Sequence, residues 1–347
     1  MTEITSSPGA QSNVSRRLRL AARPIGEPTP ADFELVEGQV PEPGDGELVV
    51  EVTHISVDPA MRGWISATPS YMPSVEIGEV MRALAIGRVK VSRNDNFTEG
   101  ELVHGMFGVQ EHALSNGADI FKLEPLQGIS VDAHLGILGM PGMTAYFGLR
   151  DVGRVNSGDT VLVSGASGGV GTVVGQLAKI YGARAVGIAG GAKKCRMLVD
   201  ELGFDAAVDY KAGDVSGQLL QCTPNGVDVF FDNVGGEILD QGLTRLAHGA
   251  RVVICGAITQ YNAIGPARGP SNYLALLVQR ASMTGFVVSD YVASWPAAIS
   301  EMSTWLLEGR LNSVEDTIQG GIDAMPGALL SLFNGHNAGK LVLELQR

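Results

Sequence analysis

The stretch TVLVSGASGGVGTVVGQLAK, residues 160–179, decides the fold class of this 347-residue chain. It places a glycine-rich turn between an apolar strand and an amphipathic helix. A dinucleotide pyrophosphate requires such a turn, because it binds to backbone N–H groups at a helix N-terminus where no side chain is in the way. In the G-x-G-x-x-G register the positions are Ala166, Gly168 and Gly171, so alanine replaces the first glycine, and Gly169 adds further room. The alternative interpretation is a tight strand-to-helix turn that binds no ligand.

Short strands and helices alternate along the chain after this motif. Helices are predicted up to Tyr181 and Leu202, each closed by the glycine that follows it. The predicted strands are 160–164, 185–189, 228–232, 251–255 and 282–288. This alternation predicts an α/β fold with a doubly wound parallel sheet and right-handed crossovers.

The flanking segments have a different pattern. Residues 18–126 contain short apolar runs broken by Gly, Pro and Asp, which indicates a mainly β domain. Past Trp305 the chain returns to strand, helix and strand, and we expect its last run, GKLVLEL, to pair with the first domain. We therefore predict a β domain made of residues 17–130 and 311–347, with a nucleotide-binding domain at 131–310 inserted between the two parts. The polar, Ser-rich residues 1–16 are predicted to form a disordered tail.

Composition and charge exclude several classes of function. Lys and Arg total 25 against 37 Asp and Glu, and the net charge of -12 is unfavourable for binding nucleic acid or an anionic membrane. No apolar stretch is long enough to span a bilayer, and the tail lacks the apolar region of a signal peptide. The three cysteines, Cys195, Cys222 and Cys255, lie far apart, which favours a reducing compartment. We expect a cytoplasmic protein without nucleic-acid or membrane partners.

The end of the second predicted strand indicates which dinucleotide binds. In an NAD site an acidic residue there accepts a hydrogen bond from the ribose 2′-hydroxyl, but here the segment reads AGGAKKC, residues 189–195. A 2′-phosphate would gain the charge of Lys193 and Lys194 together with helix N-terminal N–H groups. The sequence therefore predicts NADP(H) as the cofactor. The alternative is that both lysines are only solvated surface residues.

Neither a metal site nor a catalytic triad is indicated. No two of the six histidines are spaced i, i+3 or i, i+4, whereas zinc needs three or four convergent ligands. No G-x-S-x-G motif is present. We expect the chemistry to come from a cofactor, with the protein supplying position and a proton.

Two tyrosines are candidates for the proton-donating group. Tyr261 follows the strand predicted at 251–255, and strand C-termini face the cofactor crevice, although Tyr261 could also be packed on a loop. Tyr71 lies in a Pro-flanked loop of the first domain, where it forms either a pocket wall or a simple surface turn. Both are predicted catalytic residues.

A series of segments carries a resemblance to a known family. The segments ISVDPAMRG, GMPGMTAYFGL, SGASGGVGT, FDNVGG, CGAITQYN and GHNAGKLVLEL occur in this order along nearly the whole chain after the tail. In this respect the chain resembles the zinc-independent branch of the medium-chain dehydrogenase/reductase superfamily, the NADP-dependent alkenal/enone reductases, also called leukotriene or prostaglandin reductases. Consistent with that branch, ISVDPAMRG lacks the cysteine ligand of the zinc enzymes and IGEVM lacks the histidine of their GHE motif.

The resemblance implies a fold, a set of cofactor contacts and an oligomer. The implied fold is a GroES-like β domain plus a Rossmann domain, and the implied oligomer is a homodimer formed through the nucleotide domains. The implied cofactor-binding residues are Met140, Thr144, Ala166, Gly168, Gly169, Val170, Gly171, Lys194, Tyr210, Asn233, Cys255, Gly256, Ile258, Tyr261, Phe286, Val287, Val288 and Asn337.

The resemblance also implies an activity. It is the NADPH-dependent reduction of the carbon-carbon double bond of an α,β-unsaturated ketone or aldehyde, by hydride transfer to the β-carbon. Many relatives read DPYMRGRM where this chain has Ala60 and Trp64, a difference that bears on substrate identity. The alternatives are reduction of a ketone carbonyl or of a quinone without zinc, or a structural or sensor protein that binds NADPH without turnover.

Overall fold

The computed structural model describes residues 13–346 apart from residues 69 and 267. The strands are β1 (Val14–Leu20), β2 (Phe33–Gln39), β3 (Leu48–Ser56), β4 (Ala85–Ser92), β5 (Leu102–Gly105), β6 (His112–Ser115), β7 (Phe121–Lys122), β8 (Thr160–Val163), β9 (Arg184–Ala189), β10 (Ala206–Asp209), β11 (Val227–Asp232), β12 (Leu246–Ile254), β13 (Ser282–Gly285), β14 (Glu315–Gly320) and β15 (Lys340–Leu345). The α-helices are α1 (Met61–Trp64), α2 (Met140–Phe147), α3 (Gly171–Ile180), α4 (Ala192–Arg196), α5 (Val215–Cys222), α6 (Gly236–Leu243), α7 (Leu274–Gln279), α8 (Trp295–Leu307) and α9 (Met325–Phe333).

A parallel sheet forms the centre of the nucleotide-binding part. Its strand order is β10-β9-β8-β11-β12-β13, and every neighbouring pair is parallel. In chain order this is 3-2-1-4-5-6, the Rossmann order, in which the direction of winding reverses between β8 and β11. Strand β11 is buried on both faces, because Phe230 packs in one hydrophobic cluster and Phe231 in another. The predicted doubly wound sheet is thus confirmed, with β10 as a strand that the sequence pattern left unassigned.

The second large sheet joins both ends of the chain. Its order is β14-β15-β3-β4-β5-β7, and β6 also pairs with β3. The last strand, β15, runs antiparallel to β3, with Val342 opposite Ser56. Helix α9 packs beside this sheet in the same hydrophobic cluster as β3 and β4. The α/β class with two different sheets agrees with the expectation, while the domain boundaries at 130 and 310 stay a prediction.

The predicted disordered tail was too long. Strand β1 begins at Val14 and pairs antiparallel with β2, so residues 14–16 belong to the fold. Arg16 is held there because its backbone N–H and its guanidinium both donate to the carboxylate of Glu111. Its charge, which makes the segment look like a solvated tail, is paired in the folded protein. Residues 1–12 of the predicted tail lie outside the described residues.

The described helices are short relative to a membrane. In residues 13–346, leaving out 69 and 267, no helix is long and apolar enough to cross a bilayer. Helix α8 has 13 residues. At a rise of 1.5 Å per residue it spans about 20 Å, whereas a bilayer core is about 30 Å thick.

Candidate active site

The turn between β8 and α3 depends on a glycine that the sequence register missed. Gly165 has a φ of +57°, a left-handed conformation that favours glycine. Ala166, which occupies the first position of the motif, is fully buried and packs against β9. Gly187 on β9 provides the room, since a Cβ added there would lie 2.8 Å from the Ala166 methyl. Gly165 therefore makes the tight turn. Ala166 replaces the first glycine of the motif without placing its methyl group where the pyrophosphate would bind.

The start of α3 has the shape that a pyrophosphate requires. A Cβ added at Gly171 would overlap the Gly165 carbonyl oxygen and lie 2.6 Å from the Ala166 Cα, so only glycine fits. Val170 precedes the helix in helical conformation, and no side chain in the described part of the chain caps it. The first N–H groups of a helix have no carbonyl partner in a preceding turn. Together with the helix dipole, they make this cradle fit a dinucleotide pyrophosphate.

A buried polar brace holds the loop at the point where the sheet reverses. The Ser164 hydroxyl donates to the buried Asp232 carboxylate at 2.6 Å, and the Asn233 side chain donates to the Ser164 carbonyl at 2.7 Å. The backbone N–H groups of Val234 and Gly235 also donate to Asp232. Burial raises the pKa of Asp232, although these hydrogen bonds oppose the shift. The brace fixes Asn233, a predicted cofactor residue, directly beside the phosphate loop.

The predicted 2′-phosphate lysine lies against the C-terminal segment. The Lys194 ammonium donates to the carbonyls of Gly335 at 2.9 Å and Asn337 at 2.6 Å, and burial lowers its pKa. Lys193 is exposed. The same segment reaches the phosphate loop, because the Gly339 N–H donates to the Ser167 carbonyl at 2.7 Å. The structure therefore brings together Lys194, Asn337 and the phosphate loop.

Tyr210 lies at the same end of the sheet. A Cβ added at Gly190 would lie 2.7 Å from the Tyr210 hydroxyl, so the ring of Tyr210 packs over this glycine. Gly190 directly follows β9, on the segment that leads to Lys194. A partly exposed aromatic ring beside a lysine suits the adenosine side of a dinucleotide.

Tyr261 stands where the other end of the cofactor is expected. It follows a single 3-10 turn, Ile258–Gln260, rather than β12 itself, and its ring folds back over Gly256. The hydroxyl accepts a long hydrogen bond of 3.4 Å from the Ala257 N–H, which leaves its own proton to donate. Burial raises the pKa of Tyr261, and it raises the pKa of the Cys255 thiol to about 12. Both groups are therefore protonated at neutral pH.

The remaining predicted cofactor-binding residues lie on α2 and on the segment after β13. Some of their side chains bond to or pack against other parts of the nucleotide domain. The Thr144 hydroxyl donates within α2 to the Met140 carbonyl at 2.7 Å. The Phe286 ring packs edge-on against Phe231, with centroids 6.4 Å apart, so it belongs to the core of the nucleotide domain. Val287 and Val288 are half-buried and lead into a 3-10 helix, Val288–Ser294.

Tyr71 approaches from the β domain. Tyr71 is 62 % exposed on the loop after α1; desolvation raises its pKa, and the Trp64 side chain opposes the shift. A charge on Tyr71 would raise the pKa of Tyr261, and Cys255 similarly affects Tyr71. Tyr71 stays a predicted catalytic residue, with the pocket wall and the simple surface turn as alternatives.

A buried ion pair that the sequence analysis missed lies beneath the phosphate loop. The Lys340 ammonium donates to the Val57 carbonyl at 2.6 Å and lies 3.2 Å from the Asp58 carboxylate, and both side chains are almost fully buried. Asp58 also accepts a 2.5 Å hydrogen bond from the Ser56 hydroxyl. Burial lowers the pKa of Lys340. The visible signal was a lysine that opens the apolar run KLVLEL, together with an aspartate within ISVDPAM.

Metal ligands are not gathered at this site. Across the part of the chain that the structure describes, no group of three or more His, Cys, Asp or Glu side chains is placed to hold a metal ion. The polar groups of the cleft are instead hydroxyls, amides and one lysine, which suit an organic anion.

Two family models match the chain in the order of its two sheets. Residues 16–123 match the N-terminal domain of oxidoreductase, and residues 169–304 match the zinc-binding dehydrogenase model. The chain is 39% identical to the NADPH-dependent curcumin reductase of Escherichia coli (strain K12), over 97% of this chain and 99% of that protein. It is 36% identical to the 2-alkenal reductase (NADP(+)-dependent) of Nicotiana tabacum, over 93% of this chain and 95% of that protein.

A solved structure matches at a similar level. CurA from Vibrio vulnificus in complex with NADPH has a TM-score of 0.90 and 38% identity, and the match covers 96% of this chain and 99% of that one. Sequence and fold therefore agree over nearly the whole length. The chain belongs to the medium-chain dehydrogenase/reductase superfamily of oxidoreductases, in the zinc-independent branch of the alkenal/enone reductases.

Proposed function

We propose that this protein reduces the carbon-carbon double bond of α,β-unsaturated ketones and aldehydes. It is an NADP(H)-dependent oxidoreductase of the curcumin and alkenal reductase type, and its substrate is a small molecule. The observation that carries the proposal is the position of the Tyr261 hydroxyl, which lies over Gly256 beyond the C-terminal end of β12 and accepts the Ala257 bond, so that its own proton is left to donate. The relatives named above support it, since one is a 2-alkenal reductase.

The residues present fit NADP(H). The cradle at Gly171 would hold the pyrophosphate, Lys194 the 2′-phosphate and Tyr210 the adenosine side. Asn233 would lie along the adenosine side with Tyr210, and Cys255 and the turn before Tyr261 would line the nicotinamide side. When bound, the cofactor supplies the hydride that the β-carbon accepts.

Tyr261 stabilises the charge that forms on the substrate. Reduction at the β-carbon of an enone leaves negative charge on the carbonyl oxygen, and a positioned O–H donor lowers the energy of that charge. The pKa of Tyr261 is raised by burial, so the hydroxyl keeps its proton at and above neutral pH. The long bond from Ala257 occupies only an acceptor position of this hydroxyl. Tyr71, on the loop after α1, is the second predicted proton donor.

The test is the product formed from an enone that also has a reducible carbonyl. NADPH oxidation that yields the saturated ketone supports the proposal. An allylic alcohol that retains its double bond would instead assign carbonyl reduction. A quinone reduced in preference to the enone would assign the quinone alternative, and NADPH binding without turnover on all three substrate classes would assign a structural or sensor role.

Tyr261→Phe should lower kcat on the enone by about 10²-fold, because one donor to a developing oxyanion is removed. NADPH affinity should stay nearly constant. The matched control is Tyr181→Phe, which removes a buried hydroxyl that has no hydrogen-bond partner within the described residues and whose ring packs against Trp305. Steady-state rates and NADPH fluorescence titration measure both quantities, and an unchanged kcat in Tyr261→Phe would remove its assigned role.

We also propose a homodimer formed through the nucleotide domains. Strand β13 is the end strand of the parallel sheet as described, so one of its edges has no neighbouring strand there. Next to it, α7 exposes Leu277 at 75 % and Val278 at 68 %. Exposed apolar side chains beside an open sheet edge suit a twofold pairing with a second copy.

The dimer is tested by mass in solution. Light scattering should give twice 36.4 kDa for the natural chain, and Leu277→Lys with Val278→Lys should give 36.4 kDa. The doubly substituted protein should keep its NADPH affinity, because α7 is not among the predicted cofactor contacts. A natural chain that is monomeric at assay concentrations would contradict the proposal.

The proposed compartment is the cytoplasm. Cys195, Cys222 and Cys255 are all free, as expected in a reducing environment. Microscopy of a tagged protein tests this assignment.

A further inference from the structure

A buried arginine connects the two domains beside the cleft. Arg62 lies in α1 and is 6 % exposed. Its Nε donates to the Asn262 side-chain oxygen at 3.0 Å and to the Gly26 carbonyl at 3.2 Å. Its Nη2 donates to the carbonyls of Gly26 at 2.9 Å and Pro24 at 3.2 Å. These bonds join α1, the N-terminal segment and the loop after β12.

The three acceptor atoms of these four bonds are neutral. Burial lowers the pKa of Arg62, and a buried cation is costly unless hydrogen bonds replace its hydration. Apolar residues of similar volume often stabilise a protein as well as such a charge does. Stability alone therefore does not account for an arginine at this position, whereas its planar fork suits a bridge between several fixed oxygen atoms.

The Asn262 bond acts on the loop that carries Tyr261. The first half of this loop is anchored within the nucleotide domain, where Thr259 donates its hydroxyl to the Val234 carbonyl at 2.7 Å. The second half is exposed from residue 263 to 266, and among the described residues the Tyr261 hydroxyl has only the long 3.4 Å bond from Ala257. The side chain of Asn262, next to Tyr261, is bonded to Arg62 of the β domain. Ile264 packs over Gly26 on the same side.

We propose that Arg62 is a positioning residue that fixes Tyr261 by holding Asn262 across the domain boundary. We call Arg62, Asn262 and the carbonyls of Pro24 and Gly26 the Arg62 latch. The latch holds the Tyr261 hydroxyl in the geometry in which it meets the substrate oxygen. It belongs to the β domain and acts on a loop of the nucleotide domain, so the proton donor is aligned only when the two domains are docked. This inference rests on the proposed role of Tyr261.

Asn262→Leu is the test variant, because leucine has a similar volume and no acceptor, and the residue lies on a loop where misfolding is not expected. Turnover should fall about tenfold, as small misplacements of reacting groups typically cost this much or more. NADPH affinity should be unchanged. Asn262→Asp keeps the acceptor and should retain most of the activity.

Two further measurements separate positioning from a purely structural effect. In the Tyr261→Phe background, Asn262→Leu should lower turnover by no more than about twofold, because coupled residues are not additive. Hydrogen exchange of residues 261–266, measured with no substrate present, should be faster in Asn262→Leu than in the natural chain. The same fall in turnover with and without the Tyr261 hydroxyl would overturn the positioning role, and unchanged exchange would overturn the latch.

Failure of the proposed function has a different signature. If Tyr261→Phe alone leaves turnover unchanged, the catalytic role of Tyr261 is wrong and so is the purpose assigned to the latch. If the product is an alcohol or a hydroquinone while Asn262→Leu and Tyr261→Phe remain coupled, the reaction class changes and the latch stands.

Discussion

Replacing Lys194 by methionine should weaken the use of NADPH much more than the use of NADH. The ammonium group has three N–H donors, and two of them bind the carbonyls of Gly335 and Asn337. The third donor and the full positive charge are left for a 2′-phosphate. A hydrogen bond to a charged group contributes about 1.5–3 kcal/mol, and each 1.4 kcal/mol is a factor of about ten. The KM for NADPH should therefore rise roughly 10- to 140-fold.

NADH lacks the 2′-phosphate, so its use depends on Lys194 only through the bonds of that lysine to the C-terminal segment. Methionine also removes the two bonds to the C-terminal segment, each with a net contribution of about 1 kcal/mol or less because the lysine is half-buried. This loss acts on both cofactors through Asn337 and the phosphate loop. The ratio of kcat/KM for NADPH to that for NADH should consequently fall by at least about tenfold.

The assay is steady-state turnover of one substrate with each cofactor at constant ionic strength. Lys193→Met is the matched control, because Lys193 is the exposed neighbour on the same helix. Its ratio of kcat/KM for NADPH to kcat/KM for NADH should stay within about twofold of the ratio in the natural chain. Equal losses with NADPH and NADH in Lys194→Met would refute the 2′-phosphate assignment. Lys194 would then act only by holding the C-terminal segment.

Two other predictions use different features of the structure. Gly171→Ala should raise the KM for NADPH and the KM for NADH by the same factor, because the added Cβ would overlap the Gly165 carbonyl and displace the pyrophosphate cradle. The control is Gly327→Ala on α9, where a Cβ meets no described atom within 4 Å, and it should change neither KM. Burial lowers the pKa of His104 to about 4, so between this value and its ordinary 6.5 the unfolded chain binds more protons. The free energy of unfolding should thus fall by about 2 kcal/mol between pH 7 and pH 5, and His104→Leu should remove this part of the slope in urea titrations. A slope that is unchanged in His104→Leu would show that other groups cause it.

Much of the fold could be predicted from local sequence. A strand, a glycine-rich turn and an amphipathic helix follow each other within residues 160–179, so their chemistry is visible without any long-range contact. The segment after β9, which has lysines in place of an acidic residue, is likewise visible in the local sequence. The motif register was less informative, because whether Gly165 or Ala166 makes the turn depends on the room that Gly187 leaves on the neighbouring strand. That room is a property of the sheet and does not follow from the spacing.

The charged residues show the other limit of local patterns. Arg16 looks like part of a solvated tail until Glu111 is placed beside it. Lys340 looks like the polar first residue of a strand, yet its ammonium group is buried against Val57 and Asp58. In both cases the partner is distant in the sequence, so no window of the sequence shows that the charge is satisfied.

By itself, the sequence determined the α/β class, the family and the preference for a phosphorylated dinucleotide, because these follow from motifs whose residues are neighbours along the chain. Only the tertiary structure decided how the cleft is assembled. The Arg62–Asn262 bond spans 200 positions and the Lys340–Val57 bond spans 283. The second bond forms because β15 pairs with β3, and the first forms because α1 of the β domain lies against the loop after β12.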